Sequence, residues 1–167
     1  MPEPVLLDTV RPVETPEGIE LRLRVAGPAA RALAWIVDSL IKYGVLWGLL
    51  MALTLLGGGG LGLWLIALFL TEWFYPVLWE VYAAGATPGK KALNLKVVHA
   101  NGAPVDWPGA LIRNLLRAVD FLPVFYGFGL VAMLSNRDFQ RLGDLAAGTV
   151  VIYRDPPLVA PTLPPGP

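Results

Sequence analysis

Between Lys42 and Glu72 the chain runs for 29 residues without a charge. A stretch that long and apolar belongs in lipid, because a spanning helix needs about 20 apolar residues. Four consecutive glycines, residues 57–60, divide it. It therefore reads as two membrane helices, about residues 29–56 and 61–84, joined by a tight uncharged turn. Composition supports this. Charged residues make up 16% of the 167-residue chain, against roughly 25% in average soluble domains. Mean hydropathy is +0.57. The formal net charge is zero, so the basic imbalance that marks a nucleic-acid binder is missing. The chain has no cysteine, which excludes disulfides, thiolate metal sites and cysteine nucleophiles.

Before these helices, residues 1–27 carry five acids and three arginines and no apolar run. That is not the pattern of a signal peptide, and the first helix is expected to serve as insertion signal and anchor. "IELRLRV" alternates with the period of a strand. With "DTVRPVE" and the turn residues "TPEG" it predicts a hairpin over residues 5–25. Residues 1–27 thus read as a cytoplasmic β-hairpin unit, 28–154 as the membrane domain and 155–167 as a proline-rich disordered tail.

After the second helix, "LNLKVVH" predicts a strand at about 93–99, and Asn101-Gly102 is turn chemistry. Asp106 and Pro108 suit a helix start. A third helical segment, about 109–134, carries Pro123 in its middle. Lys90, Lys91 and Lys96 precede it; Arg137, Arg141 and Arg154 follow it. Positive residues favour the cytoplasmic side, so both flanks are expected there, with the N-terminus. A broken or re-entrant pair satisfies this where one straight crossing does not. "GTVVIY", a strand at about 148–153, can then pair with "LKVVH". The fold expected is mainly α-helical and multi-pass, with a small cytoplasmic β-sheet.

The charges inside the helices follow helical spacing. Arg31, Asp38 and Lys42 stand seven and four residues apart, on one face. Arg113, Arg117 and Asp120 repeat the pattern. Polar stripes that face each other leave apolar backs for lipid. At about 1.5 Å per residue, Lys42 and Glu72 lie roughly 21 and 17 Å from the glycine turn, close enough in depth to pair. Asp38 and Glu80 come out level with each other, with Arg31, Arg113 and Arg117 as their candidate cations. Pro76 has no N–H for the carbonyl of Glu72. A free backbone oxygen beside a carboxylate can take a cation or relay a proton.

Two motifs fall short of known patterns. "GATPGKK" lacks the spacing and the hydroxyl of a phosphate-binding loop. It reads as a surface turn whose Lys90 and Lys91 contact anionic lipid. "RLGD" at 141–144 lacks the glycine of membrane aspartyl proteases, and Arg141 and Asp144 read as a local helix-exit pair. His99 has no ligand cluster around it. No cofactor, metal or enzymatic chemistry is expected.

Three pieces, "ARALAWIVDSLI", "TPGKKALNLKVVHANGAPV" and "IRNLLRAVDFLP…SNRDFQRLGDLAAGTVVIY", together resemble the RDD family of bacterial membrane proteins over about residues 25–153. Arg31 matches the family's arginine and Asp38 its helical aspartate. Asp144, or alternatively Asp120, matches the second aspartate. The resemblance implies a multi-pass protein of the bacterial cytoplasmic membrane, with transport as the expected role and no substrate specified. The leading expectation is a transport or channel component for an inorganic cation or proton, acting as an oligomer. Asp38 and Glu72 would exchange the ion, tuned by Lys42, Arg113 and Arg117. The alternative is a non-transporting scaffold or accessory subunit that docks membrane-protein partners.

Overall fold

The computed structural model describes residues 9–14, 20–56, 58–122, 127–154 and 158–159. Gly57, Pro123, the turn at 15–19 and most of the tail, all of which entered the reading above, lie outside the described residues.

Strands β1 (Thr9–Glu14) and β2 (Glu20–Val25) form an antiparallel pair. Gly27 then sits in an extended conformation and Pro28 occupies the first turn of α1 (Pro28–Leu53). Proline is suited to that turn, where its missing N–H has no intrahelical partner to lose. A short 3-10 turn at Thr54–Leu56 leads to α2 (Gly58–Tyr82). Residues 58–60 are therefore helical, not part of an open turn. Both helices are long and apolar enough to cross a membrane. At 26 and 25 residues they each rise nearly 40 Å by the helical rise of about 1.5 Å, enough for a hydrocarbon core of about 30 Å.

Their amphipathicity is inverted relative to a soluble bundle. Leu40, Val45, Trp47, Leu63 and Ile66 point outward and are exposed. The buried residues of α1 are Ala34, Asp38, Lys42 and Leu46, spaced by four. The residues costliest to place in hydrocarbon thus face protein.

After α2 the chain forms α3 (Pro88–Ala92), packed on α1, and strand β3 (Leu95–His99). Next come α4 (Trp107–Leu115), α5 (Arg117–Asp120), α6 (Gly127–Ser135) and α7 (Leu142–Ala147). The expected third helix at 109–134 is divided among three of these. The nine residues of α4 and of α6 each rise only about 14 Å, half a bilayer core. Strand β4 (Thr149–Tyr153) pairs antiparallel with β3 from Leu95↔Tyr153 to His99↔Thr149. It also meets β2 at Val25↔Ile152. The short β5 (Leu158–Val159) pairs with β2. The order β1-β2-β4-β3 is an open antiparallel sheet.

The sheet closes one end of the helices. Leu95, Val97 and Val151 pack with Ala34 of α1, Val77 of α2 and Ala110 of α4. This apolar layer anchors α4 and α7 against α1 and α2, and so positions the charged side chains between them.

Candidate functional site: a buried ion-pair network

Arg113 in α4 is the centre. It is 1% exposed, and a guanidinium at that burial requires partners for its donors. Its Nε lies 3.2 Å from Glu80 Oε2, its Nη1 2.9 Å from Asp144 Oδ1, and Nη1 also donates to Thr149 Oγ1 at 2.9 Å. Glu80 is shared with Lys90, whose Nζ donates to Oε1, and with Asn114, whose Nδ2 donates to Oε2 at 3.3 Å. Lys90 therefore belongs to the interior network, not to the lipid surface expected for it. Lys91 does turn outward, with its Nζ 4.9 Å from the centre of the Trp79 ring.

Asp144 collects three arginines. Arg31 of α1 donates to its Oδ2, Arg113 Nη1 forms an ion pair with its Oδ1 at 2.9 Å, and Arg141 Nε stands 3.6 Å away. Burial alone would push the Asp144 carboxyl up. Arg113, Arg31 and Arg141 outweigh that and hold it well below the ordinary carboxylate range. Arg141 is thus more than a local exit partner. Its Nε also lies 3.5 Å from Asp120 Oδ2, while Asp120 Oδ1 accepts from the Leu142 N–H at 3.1 Å. Gly143 makes this junction possible. A Cβ there would stand 2.6 Å from the carbonyl oxygen of Arg113, so only glycine lets α7 seat against α4.

Lys42 and Glu72 meet as the depth argument expects, Nζ to Oε1 at 2.7 Å. Pro76 leaves the Glu72 carbonyl without its helical N–H, and that oxygen is taken. Arg117 Nη2 donates to it at 2.5 Å and lies 3.7 Å from Glu72 Oε2. The proline gap is filled by an arginine of the same chain, which corrects the expectation of an open oxygen for a cation.

Asp38 departs furthest from the expected pairing. It is buried, yet Arg31, Arg113 and Arg117 all go elsewhere. Tyr75 Oη donates to Oδ1 at 3.1 Å, Thr87 Oγ1 to Oδ2 at 2.5 Å, and the Gly89 N–H to Oδ1 at 2.8 Å. The physical reason lies in "TPGKK". Thr87 is the N-cap of α3, and Pro88 fills the first helical position. The first turn of a helix presents unpaired N–H groups and the positive end of its dipole. It docks so closely that a Cβ on Gly89 would lie 2.2 Å from the Ala34 carbonyl oxygen. The motif, read from the sequence as a surface turn, instead cradles an anion. That anion is the chain's own carboxylate. The cap signature Thr-Pro-Gly is the sequence signal that marks these donors; nothing local marks Lys90 as the partner of Glu80.

Between α1, α2 and α4–α6 lies a cavity of about 600 Å³, and Asp38, Lys42, Glu80, Arg113 and Arg117 line it. Among the described residues no group of acids and histidine has metal-site geometry. His99 sits apart, 3.2 Å from the N-cap Asp106 of α4. The Gly109 N–H, donating to Asp106 Oδ1, and His99 hold that exposed carboxyl below its ordinary value.

Two long apolar helices enclosing a paired ionic interior define a helical membrane protein with a buried salt-bridge network. The RDD family model matches residues 25–148, three-quarters of the chain, and the protein belongs to that family. No curated protein and no solved structure matches it. Arg31, Asp38 and Asp144 have different duties here. Arg31 bonds Asp144 across 113 residues of chain, while Asp38 bonds α3.

Proposed function

We propose that the protein is a small transport component of a bacterial cytoplasmic membrane, exchanging a proton or an inorganic cation at Asp38. One observation carries this reading. Asp38 lies on the wall of the cavity, and its partners among the described residues are neutral donors. A carboxylate held by hydroxyl and amide groups can accept and release a positive charge without breaking an ion pair, which Glu72, Glu80 and Asp144 cannot do. Glu72 is reassigned from exchanging acid to a lock between α1, α2 and α5. The basic flanks at 90–96 and 137–154 support an N-terminus inside and a re-entrant α4–α6 segment.

The second reading is a non-transporting scaffold or accessory subunit, in which all these charges serve assembly. The near-saturation of the network favours it, since buried pairs are best attested as devices of register. Reconstitution separates the two. Transport predicts proton flux coupled to a cation gradient in liposomes of wild type. Asp38→Asn should abolish it in protein that remains folded, whereas Glu72→Gln should lower flux and melting temperature together. A folded wild type without flux leaves the scaffold.

A further inference from the structure

The wall of the cavity is positive. Arg31, Lys42, Lys90, Arg113, Arg117 and Arg141 line it, against the two carboxylates Asp38 and Glu80. Glu72, Asp120 and Asp144 neutralise these cations from behind. With all eleven side chains ionised, six cations face five carboxylates and one positive charge remains. Of the groups lining the cavity, Arg31, Lys90, Arg117 and Arg141 keep 11–18% of their side-chain surface and Glu80 keeps 1%; Glu72, outside the lining, keeps 31%. An excess cation in a dry interior is costly, and the cheapest remedy is a bound anion.

The mouth says which kind. Trp35 and Ile36 of α1 stand on one side, Phe121 and Leu130 of the α5–α6 region on the other. Each is roughly half exposed. Helix α1 packs on α2 and α3, whereas α6 packs on α5 and α7, so these half-exposed side chains come from two separate packing groups. In a protein whose α1 and α2 span the bilayer, half-exposed apolar side chains of this kind meet acyl chains. Arg31, in the first turn of α1, lies at the end of the helix where headgroups sit.

We propose that this cavity binds one anionic phospholipid, its phosphodiester against Arg31, Arg117 and Arg141 and an acyl chain between Trp35 and Leu130. A singly charged phosphodiester brings the cluster to neutrality. Arginine forks suit its paired oxygens better than a lysine would. The site stands whether or not Asp38 exchanges ions.

Native mass spectrometry of the full chain in a neutral detergent tests it. The probes are phosphatidylglycerol, phosphatidylcholine and inorganic phosphate. One phosphatidylglycerol should bind, about tenfold or more tighter than phosphatidylcholine, as expected for charge-assisted bonds to the phosphate, and inorganic phosphate should not displace it. Leu130→Trp, which fills the mouth and touches no ion pair, should abolish binding in folded protein. Arg117→Gln should weaken it by about tenfold, one charge-assisted contact. Should Arg117→Gln not fold, the Leu130→Trp arm decides. Equal binding of phosphatidylcholine, displacement by phosphate, or wild-type binding by Leu130→Trp overturns the proposal. So does a stable dimer that retains no lipid. None of these readouts involves flux, so failure of transport leaves them intact.

Discussion

Asp144 and Asp38 are both buried carboxylates, and the molecule treats them in opposite ways. Asp144 sits among three guanidinium groups from α1, α4 and the start of α7. Asp38 rests on a hydroxyl pair and one backbone N–H. In the first region Coulomb attraction joins three elements that are distant in sequence. In the second, a helix cap does the joining and the charge itself remains uncommitted. The contrast teaches that burial of an acid does not specify its role. The charge of its donors separates an ionic clamp from a carboxylate held by a helix cap.

The sharpest way to break this comparison is to neutralise both acids. Asp144→Asn removes the carboxylate that Arg31, Arg113 and Arg141 share, and loss of one partner of a buried charged cluster costs about 3–5 kcal/mol. Thermal unfolding in detergent, followed by tryptophan fluorescence, should show an unfolded or aggregated protein. Asp38→Asn removes no salt bridge and should cost about 1–2 kcal/mol, the scale of altered hydrogen bonds. Equal losses would erase the distinction.

Gly89→Ala attacks the second region from its other side. The new Cβ would meet the Ala34 carbonyl oxygen and Asp38 Cγ, at 2.2 and 2.8 Å. Overpacking should cost about 1–3 kcal/mol and loosen the grip on Asp38 while the Asp144 cluster holds. Hydrogen exchange confined to α3 and its neighbours on α1 checks this.

A smaller effect concerns Lys90. Burial, with Arg113 and Arg141 adding to it against the opposing pull of Glu80, brings its ammonium down to about 8 from 10.5. Between those values the unfolded chain holds more protons than the folded one, so stability rises with pH across that window. In Lys90→Met the rise should flatten. The smallest change is expected from Asp106→Ala, which removes the exposed N-cap of α4. It should lower the melting temperature slightly, with no change at either buried acid.

Much of this was readable along the chain. The helices α1 and α2, the β3–β4 pairing and the Lys42–Glu72 contact all follow from period, length and rise. The gap at the Glu72 carbonyl follows from Pro76, but its occupant, Arg117, lies 45 residues away. The inward stripe of Arg113, Arg117 and Asp120 was legible from spacing, although Leu116 separates α4 from α5 and the uninterrupted helix does not form. Lys90 was misread because a lysine beside a turn has no local mark of burial. Its partner Glu80 comes from the previous helix, and the chain reverses at Gly85, whose φ of +79° glycine accommodates readily.

By itself, the sequence determined that this protein enters a membrane, which faces of α1 and α4 turn inward, and that the first long apolar run makes two helices. Those are local consequences of helical period and of the cost of charge in hydrocarbon. Beyond Lys42 and Glu72, which acid meets which base was decided only when the sheet drew α4 and α7 onto α1 and α2. Several cations stood within reach of each carboxylate, and packing alone chose among them: guanidinium groups went to Asp144, and Asp38 was left to the tip of α3.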